Sequence, residues 1–212
     1  MSHYFDEDPV VESAAVTLTL RVGERVLTLT TDRGVFSRGH VDAGTAVLLR
    51  KAPAPPPNGT LLDLGCGYGP IALALASQSP DATVWAVDVN DRALELVRSG
   101  AIANRLPNVM VAKPEAVPDD VMFDAIYSNP PIRIGKDALH DLLRRWLTRL
   151  APGGAAYLVI QRHLGADSLH AWLEQEGFPT SRLASSKGYR VLSVGRPRAG
   201  TGPGTGPGTG MG

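Results

Sequence analysis

Cysteine occurs once in 212 residues, at Cys66. A single thiol rules out an intrachain disulfide framework, so the fold must rest on its core and a reducing compartment is expected. A surplus of charge is also lacking, since 21 basic residues are balanced by 21 acidic ones. That balance excludes a chain that holds nucleic acid by bulk electrostatics alone, while local basic patches remain open. No apolar run approaches the roughly 20 residues of a membrane span. The acidic, polar N-terminus shows no basic-then-apolar leader pattern. The histidines at 3, 40, 140, 163 and 170 have no metal-ligand spacing. These absences leave an ordinary globular protein, expected to be cytoplasmic, without metal or membrane contact. Its length and 43% apolar content suffice for one domain with a full core.

What is present is organised around Thr60-Leu-Leu-Asp-Leu-Gly-Cys-Gly-Tyr-Gly-Pro70. An apolar run ends in an acid, three glycines follow at alternate positions, and a proline opens an Ala/Leu-rich helix. Glycine lets the backbone take positive φ and lets a ligand lie against bare main chain, and Pro70 suits the first helical turn. A dinucleotide fingerprint would read G-x-G-x-x-G and seat a pyrophosphate. Here the third glycine comes one residue early, Pro70 stands where that glycine belongs, and Asp63 would oppose a phosphate but attract a cation. The pattern suits S-adenosylmethionine, an ammonium and sulfonium ligand, against the backbone of Gly65, Cys66, Gly67 and Gly69.

Around this stretch the chain divides into four expected parts. Residues 1–52 form an arm, an alternating hairpin (Val16 to Val22 and Val26 to Thr30) and a short helix from Thr45 to Lys51 capped by Asp42. Residues 53–59 are a proline-rich connector. Residues 60–197 alternate strands (60–64, 83–88, 109–112, 123–127, 155–161) with helices (70–78, 91–103, 136–150, 165–176) and close with a hairpin. This reads as a doubly wound, Rossmann-like α/β sheet that binds ligands at the strands' carboxyl ends. The Thr-Gly-Pro-Gly repeats of 198–212 are expected to be disordered. The three tryptophans, 85, 146 and 172, should pack the core, and Arg144, Arg145 and Arg149 should lie on a solvated helix face.

Asp88 ends the second body strand, where an acid takes ribose hydroxyls or caps the next helix. Asn90 falls near the adenine edge, and Glu115 is the candidate for the adenine amino group. The fourth body strand runs into Asn129-Pro-Pro-Ile-Arg133. Asparagine before proline is pushed out of the helical region. Its amide oxygen and the Pro130 carbonyl can then hold an exocyclic N–H₂ with its nitrogen toward a methyl sulfonium. Acceptors that bond the amine hydrogens as the nitrogen turns tetrahedral favour the transition state.

With these motifs the chain resembles class I S-adenosylmethionine-dependent methyltransferases of amino nitrogens. Gly34-Val-Phe-Ser37, Asp42 and Gly44-Thr45 make it similar to the methyltransferase small domain family, which includes guanine-N2 methyltransferases of ribosomal RNA. The resemblance implies a seven-stranded sheet with an antiparallel last strand, Asn129 as the catalytic residue, and cofactor contacts at Asp63, Gly65, Gly67 and Asp88. It implies guanine N2 of ribosomal RNA, or of the ribosomal subunit, as acceptor, with Phe36 near the pocket. Many such enzymes carry an aromatic after Asn-Pro-Pro; here Ile132 stands there, so Phe36 or Tyr4 would face the base, beside Pro131, Ile132 and Arg133. Arg133, Lys136, Lys187 and Arg190 are candidate phosphate contacts. Two rival readings are a methyltransferase for a protein glutamine amide or small-molecule amine, and a non-catalytic cofactor-binding partner of an RNA-binding protein.

Overall fold

Strict alternation in Val16–Val22 (β1) and Arg25–Thr31 (β2) forms an antiparallel hairpin, in register from Val16 opposite Thr31 to Val22 opposite Arg25. Its buried leucines, Leu27 and Leu29, join the core beneath helices α2 (Pro70–Gln78) and α3 (Asp91–Ala103). The computed structural model describes residues 14–33, 35 and 40–197. Residues 1–13 of the arm expected over 1–15, with Tyr4 among them, and Phe36 and the tail from 198 lie outside the described residues.

After helix α1 (Ala43–Lys51) the proline-rich connector leads into the body, and its Pro53 carbonyl accepts from the Tyr127 hydroxyl at 3.1 Å. The body strands are β3 (Asn58–Leu64), β4 (Asp81–Val87), β5 (Val109–Ala112), β6 (Phe123–Ser128), β7 (Leu150–Gln161), β8 (Thr180–Ser186) and β9 (Tyr189–Gly195). They form one seven-stranded sheet in the order β5-β4-β3-β6-β7-β9-β8. All neighbours are parallel except β9, which runs antiparallel to both β7 and β8. The expected fold is therefore present, including the antiparallel last strand. The β8–β9 turn is made by Lys187 and Gly188, both at positive φ (49° and 80°), the backbone that two-residue hairpins favour.

Apolar side chains divide between two cores, one on each face. One lies under α1, α2, α3 and the N-terminal hairpin, the other under α4 (Lys136–Leu147) and α5 (Ala166–Gln175). In β3 the alternation places Leu61 in the first core and Leu62 and Leu64 in the second.

Two expectations are corrected. Helix α4 stops at Leu147 rather than 150, and β7 starts at Leu150 rather than 155. Leu150 is buried as the 3.6-residue period demands, but as a strand residue opposite Phe123; the register then shifts before Ala125 meets Ala155. Arg149 is not on a solvated face. It is 8% exposed, donates to the carbonyls of Val121 and Pro118, and lies over the rings of Phe123 and Trp146. Among the tryptophans Trp146 is fully buried, while Trp85 and Trp172 pack partly exposed against the same core.

Candidate active site

Crossovers leave β3 toward β4 on one side and β6 toward β7 on the other, so the strand order reverses between β3 and β6. A crevice opens beyond the carboxyl ends at such a point. Both sequence motifs end there. The Ser128 hydroxyl donates to the Leu64 carbonyl at 2.7 Å, joining the two strand ends.

On the β3 side, Gly65, Gly67 and Gly69 take positive φ of 72°, 53° and 88°. The turn is latched to β4: the amides of Gly65 and Cys66 donate to the Val87 carbonyl at 2.9 and 3.0 Å. The Gly67 amide donates to Asp88 Oδ2 at 2.8 Å. The three glycines have different reasons to lack a side chain. A Cβ at Gly69 would lie 2.9 Å from Val97 Cγ2, so this glycine serves helix packing. A Cβ at Gly67 would meet nothing within 4 Å, and one at Gly65 only Pro131 Cδ at 3.7 Å. Those two present bare backbone to the crevice, a cradle that fits a ligand lying along the main chain.

Asp63 sits beneath this turn with no exposure, and its Oδ2 accepts from the Ala72 amide in the first turn of α2 at 2.8 Å. Its Oδ1 has no hydrogen-bond partner. Burial pushes its carboxyl up to about 8, with the Ala72 bond opposing and Asp88 adding to the rise. The sequence reading placed this acid to attract a cation directly; the structure places it under the cradle, holding the start of α2. Asp88, at the end of β4, accepts from the amides of Gly67 and Asn90. Burial raises its carboxyl, and the backbone bonds from Asn90, Gly67 and Val89 pull it back. These three backbone donors leave the carboxylate part of its lone-pair capacity for a ligand hydroxyl. Asn90 is buried and caps α3, its side-chain oxygen accepting from the Ala93 amide at 3.1 Å. Glu115 lies exposed on the short turn Pro114–Ala116 after β5. Cys66 is buried, and burial first, then Asp88 and Asp63, push its thiol far up, which suits packing and not nucleophilic chemistry.

On the β6 side, Pro130 is buried and Asn129 and Pro131 are half-buried. Asn129 Nδ2 donates to Asp42 Oδ2 at 2.8 Å and to Thr45 Oγ1 at 3.2 Å. The same Asp42 Oδ2 accepts from the Thr45 amide at 3.0 Å, capping α1. Ile132 opens a single turn, Ile132–Ile134, and with Ile134 packs against the α4–α5 core, while Arg133 is exposed. Helix α1 is further enclosed by tyrosines. Tyr68 donates to the His40 carbonyl at 3.2 Å, and a Cβ at Gly44 would lie 2.9 Å from both Asp42 Oδ2 and Tyr189 Cε1. The contact of α1 with Asn129 was missed in the sequence. Asp42 and Thr45 show there only the three-residue spacing of a helix cap, and nothing local points to a partner 87 residues away.

A family model described as "Methyltransferase small domain" matches residues 26–193. The chain belongs to this family. Its match begins within β2 and ends in β9, taking in Asp42, the glycine turn and Asn129-Pro-Pro131. The methyltransferase small domain chain is 37% identical over 195 residues to the uncharacterised protein YbxB of Bacillus subtilis (strain 168), covering 91% of this chain and 97% of that one. It is 33% identical to ribosomal RNA small subunit methyltransferase C of Pseudomonas aeruginosa (strain LESB58), over 89% of this chain and 57% of that protein. It therefore spans little more than half the length of that relative. The solved structure of the T. thermophilus 16S rRNA N2 methyltransferase (RsmC), in complex with AdoMet and guanosine, superposes with a TM-score of 0.76 at 28% identity, covering 89% of this chain and 52% of that one. The chain is a methyltransferase by family and by fold.

Among the described residues no helix is long and apolar enough to cross a membrane, and no group of three or more His, Cys, Asp or Glu side chains could hold a metal ion.

Proposed function

We propose that this S-adenosylmethionine-dependent methyltransferase methylates an exocyclic amino nitrogen, guanine N2 of ribosomal RNA. The observation that carries the reading is the meeting of the two loops: Pro131 Cδ lies 3.7 Å from where a Gly65 Cβ would stand. The bare-backbone cradle and the Asn-Pro-Pro loop are thus two walls of one crevice. The relatives with named activities, an rRNA small subunit methyltransferase and a 16S rRNA N2 methyltransferase holding AdoMet and guanosine, support this acceptor.

In this reading Gly65, Cys66 and Gly67 hold the cofactor along their backbone, and the Asp88 carboxylate takes its ribose hydroxyls. Asn90 lies by the adenine edge and Glu115 near its amino group. Asp63 keeps α2 in place from below the cradle. When bound, the cofactor supplies an electrophilic methyl group on a sulfonium. Asn129 Oδ1 and the Pro130 carbonyl accept the two hydrogens of the acceptor amine and direct its nitrogen at that methyl. Both bonds strengthen as the nitrogen gains positive charge, which is stabilisation specific to the transition state. The proton leaves after transfer, so no general base is required. Pro131, Ile132 and Arg133 form the acceptor's surroundings.

The test is transfer of labelled methyl from S-adenosylmethionine to naked small-subunit rRNA, assembled subunits and total cell protein, with Asn129→Ala as control. Label in rRNA that chases into N2-methylguanine, lost by about 10²-fold or more in Asn129→Ala, is the expected result. Label in protein and none in RNA would replace the acceptor with a glutamine amide. Cofactor binding without transfer to any fraction would leave a binding module.

A further inference from the structure

We infer that Asp42 and Thr45, at the start of α1, are positioning residues that set the orientation of the Asn129 carboxamide. The inference rests on the reading of Asn129 as the group that meets the acceptor amine. A primary carboxamide is nearly symmetric in shape and has two rotamers that exchange its oxygen and nitrogen. Only one presents an acceptor to an incoming N–H₂; the other presents a donor and repels it. Proline at 130 restricts the Asn129 backbone but does not choose between them.

The choice is made from outside the loop. Asn129 Nδ2 has two hydrogens, and the structure supplies two acceptors, Asp42 Oδ2 at 2.8 Å and Thr45 Oγ1 at 3.2 Å. A flipped amide would set its oxygen against the Asp42 carboxylate, two acceptors facing each other at hydrogen-bond distance. The carboxylate therefore acts by charge as well as geometry: it holds Nδ2 and polarises the amide, so that negative charge gathers on Oδ1. Asp42 is itself fixed by the Thr45 amide at 3.0 Å. Gly44 keeps the approach open, since a Cβ there would come within 2.9 Å of Asp42 Oδ2 and of the Tyr189 ring. A helix cap alone needs no such clearance and no tertiary partner. The N-terminal segment is in this way part of the catalytic geometry without touching the reacting atoms.

Three substitutions separate positioning from capping. Asp42→Ser keeps a good helix cap but is too short to reach Asn129. Asp42→Asn keeps cap and reach but removes the charge. Thr45→Val removes one acceptor and leaves the other. In the cofactor-free protein, the Asn129 side-chain ¹⁵N–¹H pair, assigned by its loss in Asn129→Ala, should show slowed hydrogen exchange. That protection should vanish in Asp42→Ser and weaken in Thr45→Val. With the methyl acceptor identified by the transfer assay, kcat should fall about 10²-fold in Asp42→Ser, the size expected for a misplaced catalytic group. It should fall less in Asp42→Asn, with Kd for S-adenosylmethionine unchanged in both. Unaltered Asn129 exchange in Asp42→Ser and Thr45→Val overturns the inference. So does a loss of activity that tracks Tm and cofactor affinity instead of kcat. The exchange measurement needs no acceptor, so a wrong acceptor would fail the transfer assay while leaving this result standing. If Asp42→Ser does not fold, Thr45→Val and Asp42→Asn decide by the same two readouts.

Discussion

Asp63 has no exposure and one carboxylate oxygen without a partner, which makes it the residue where stability and pH are coupled. In the unfolded chain it titrates at the ordinary 3.8, while in the fold burial moves it to about 8. Between those values the native state binds a proton that the unfolded state has released. Stability therefore falls as pH rises through that window, at up to about 1.4 kcal/mol per pH unit from this group. Urea midpoints of the cofactor-free protein at pH 5 and pH 7.5 should show the decline, and Asp63→Asn should flatten it. An equal slope in both proteins would place the coupling elsewhere. The glycines allow a second contrast at the same scale. Gly67→Ala needs only a left-handed residue in open space, so it should lower stability by about 1–2 kcal/mol yet abolish S-adenosylmethionine binding by calorimetry. Gly69→Ala drives a Cβ to 2.9 Å from Val97 Cγ2. It should cost more in Tm, and Val97→Ala in the same chain should restore part of the loss.

At the scale of elements, what could be read from the sequence is what local pattern encodes. Alternation in Val16–Val22, the proline at the start of α2 and the strand-to-glycine turn each carry their own geometry, and all stand in the structure. The α4–β7 boundary was misread because Leu150 is buried in either conformation, so burial periodicity passes through the join without a mark. The site shows the same division. Gly65 and Asn129 announce themselves by motif, whereas the grip of Asp42 on Asn129 exists only once α1 packs over the sheet. The hairpin's attachment is similarly invisible. Asn104, the residue after α3, accepts from the Thr28 amide at 2.9 Å and donates to the Thr28 carbonyl at 2.7 Å, an amide standing in for a strand. Asn104→Ala should cost about 1–2 kcal/mol in urea unfolding. It should also raise amide exchange in β2 and at the end of α3, where Asn104 Nδ2 donates to the Gly100 carbonyl at 2.7 Å, ahead of β3–β6.

For the whole molecule, a net charge of zero means that an RNA acceptor has to be held by where the cations stand and not by how many there are. The carboxyl ends of β6 and β7 and the start of β9 share one rim, because the Arg162 amide donates to the Gly188 carbonyl at 2.7 Å and Gln161 pairs with Tyr189. Exposed Arg162 and Lys187 stand at the β7–β9 junction, and exposed Arg133 and Lys136 follow the end of β6. Arg190, equally plausible by sequence, is committed to Asp167 and its side chain is only 13% exposed. Each phosphate contact releases counterions, so binding of a small-subunit rRNA fragment should weaken with salt. Alanine at Arg133 or Lys187 should each lower the log–log slope by about 0.7–0.9, while Arg190→Ala leaves the slope alone and lowers Tm. Fluorescence anisotropy between 50 and 200 mM salt measures both, a range over which even a few contacts give a resolvable change. A slope indifferent to Arg133 and Lys187 would mean that this rim does not meet RNA. Combined with transfer to protein, that result would move the acceptor from a nucleobase to an amide, since the chemistry proposed at Asn129 would serve either amine.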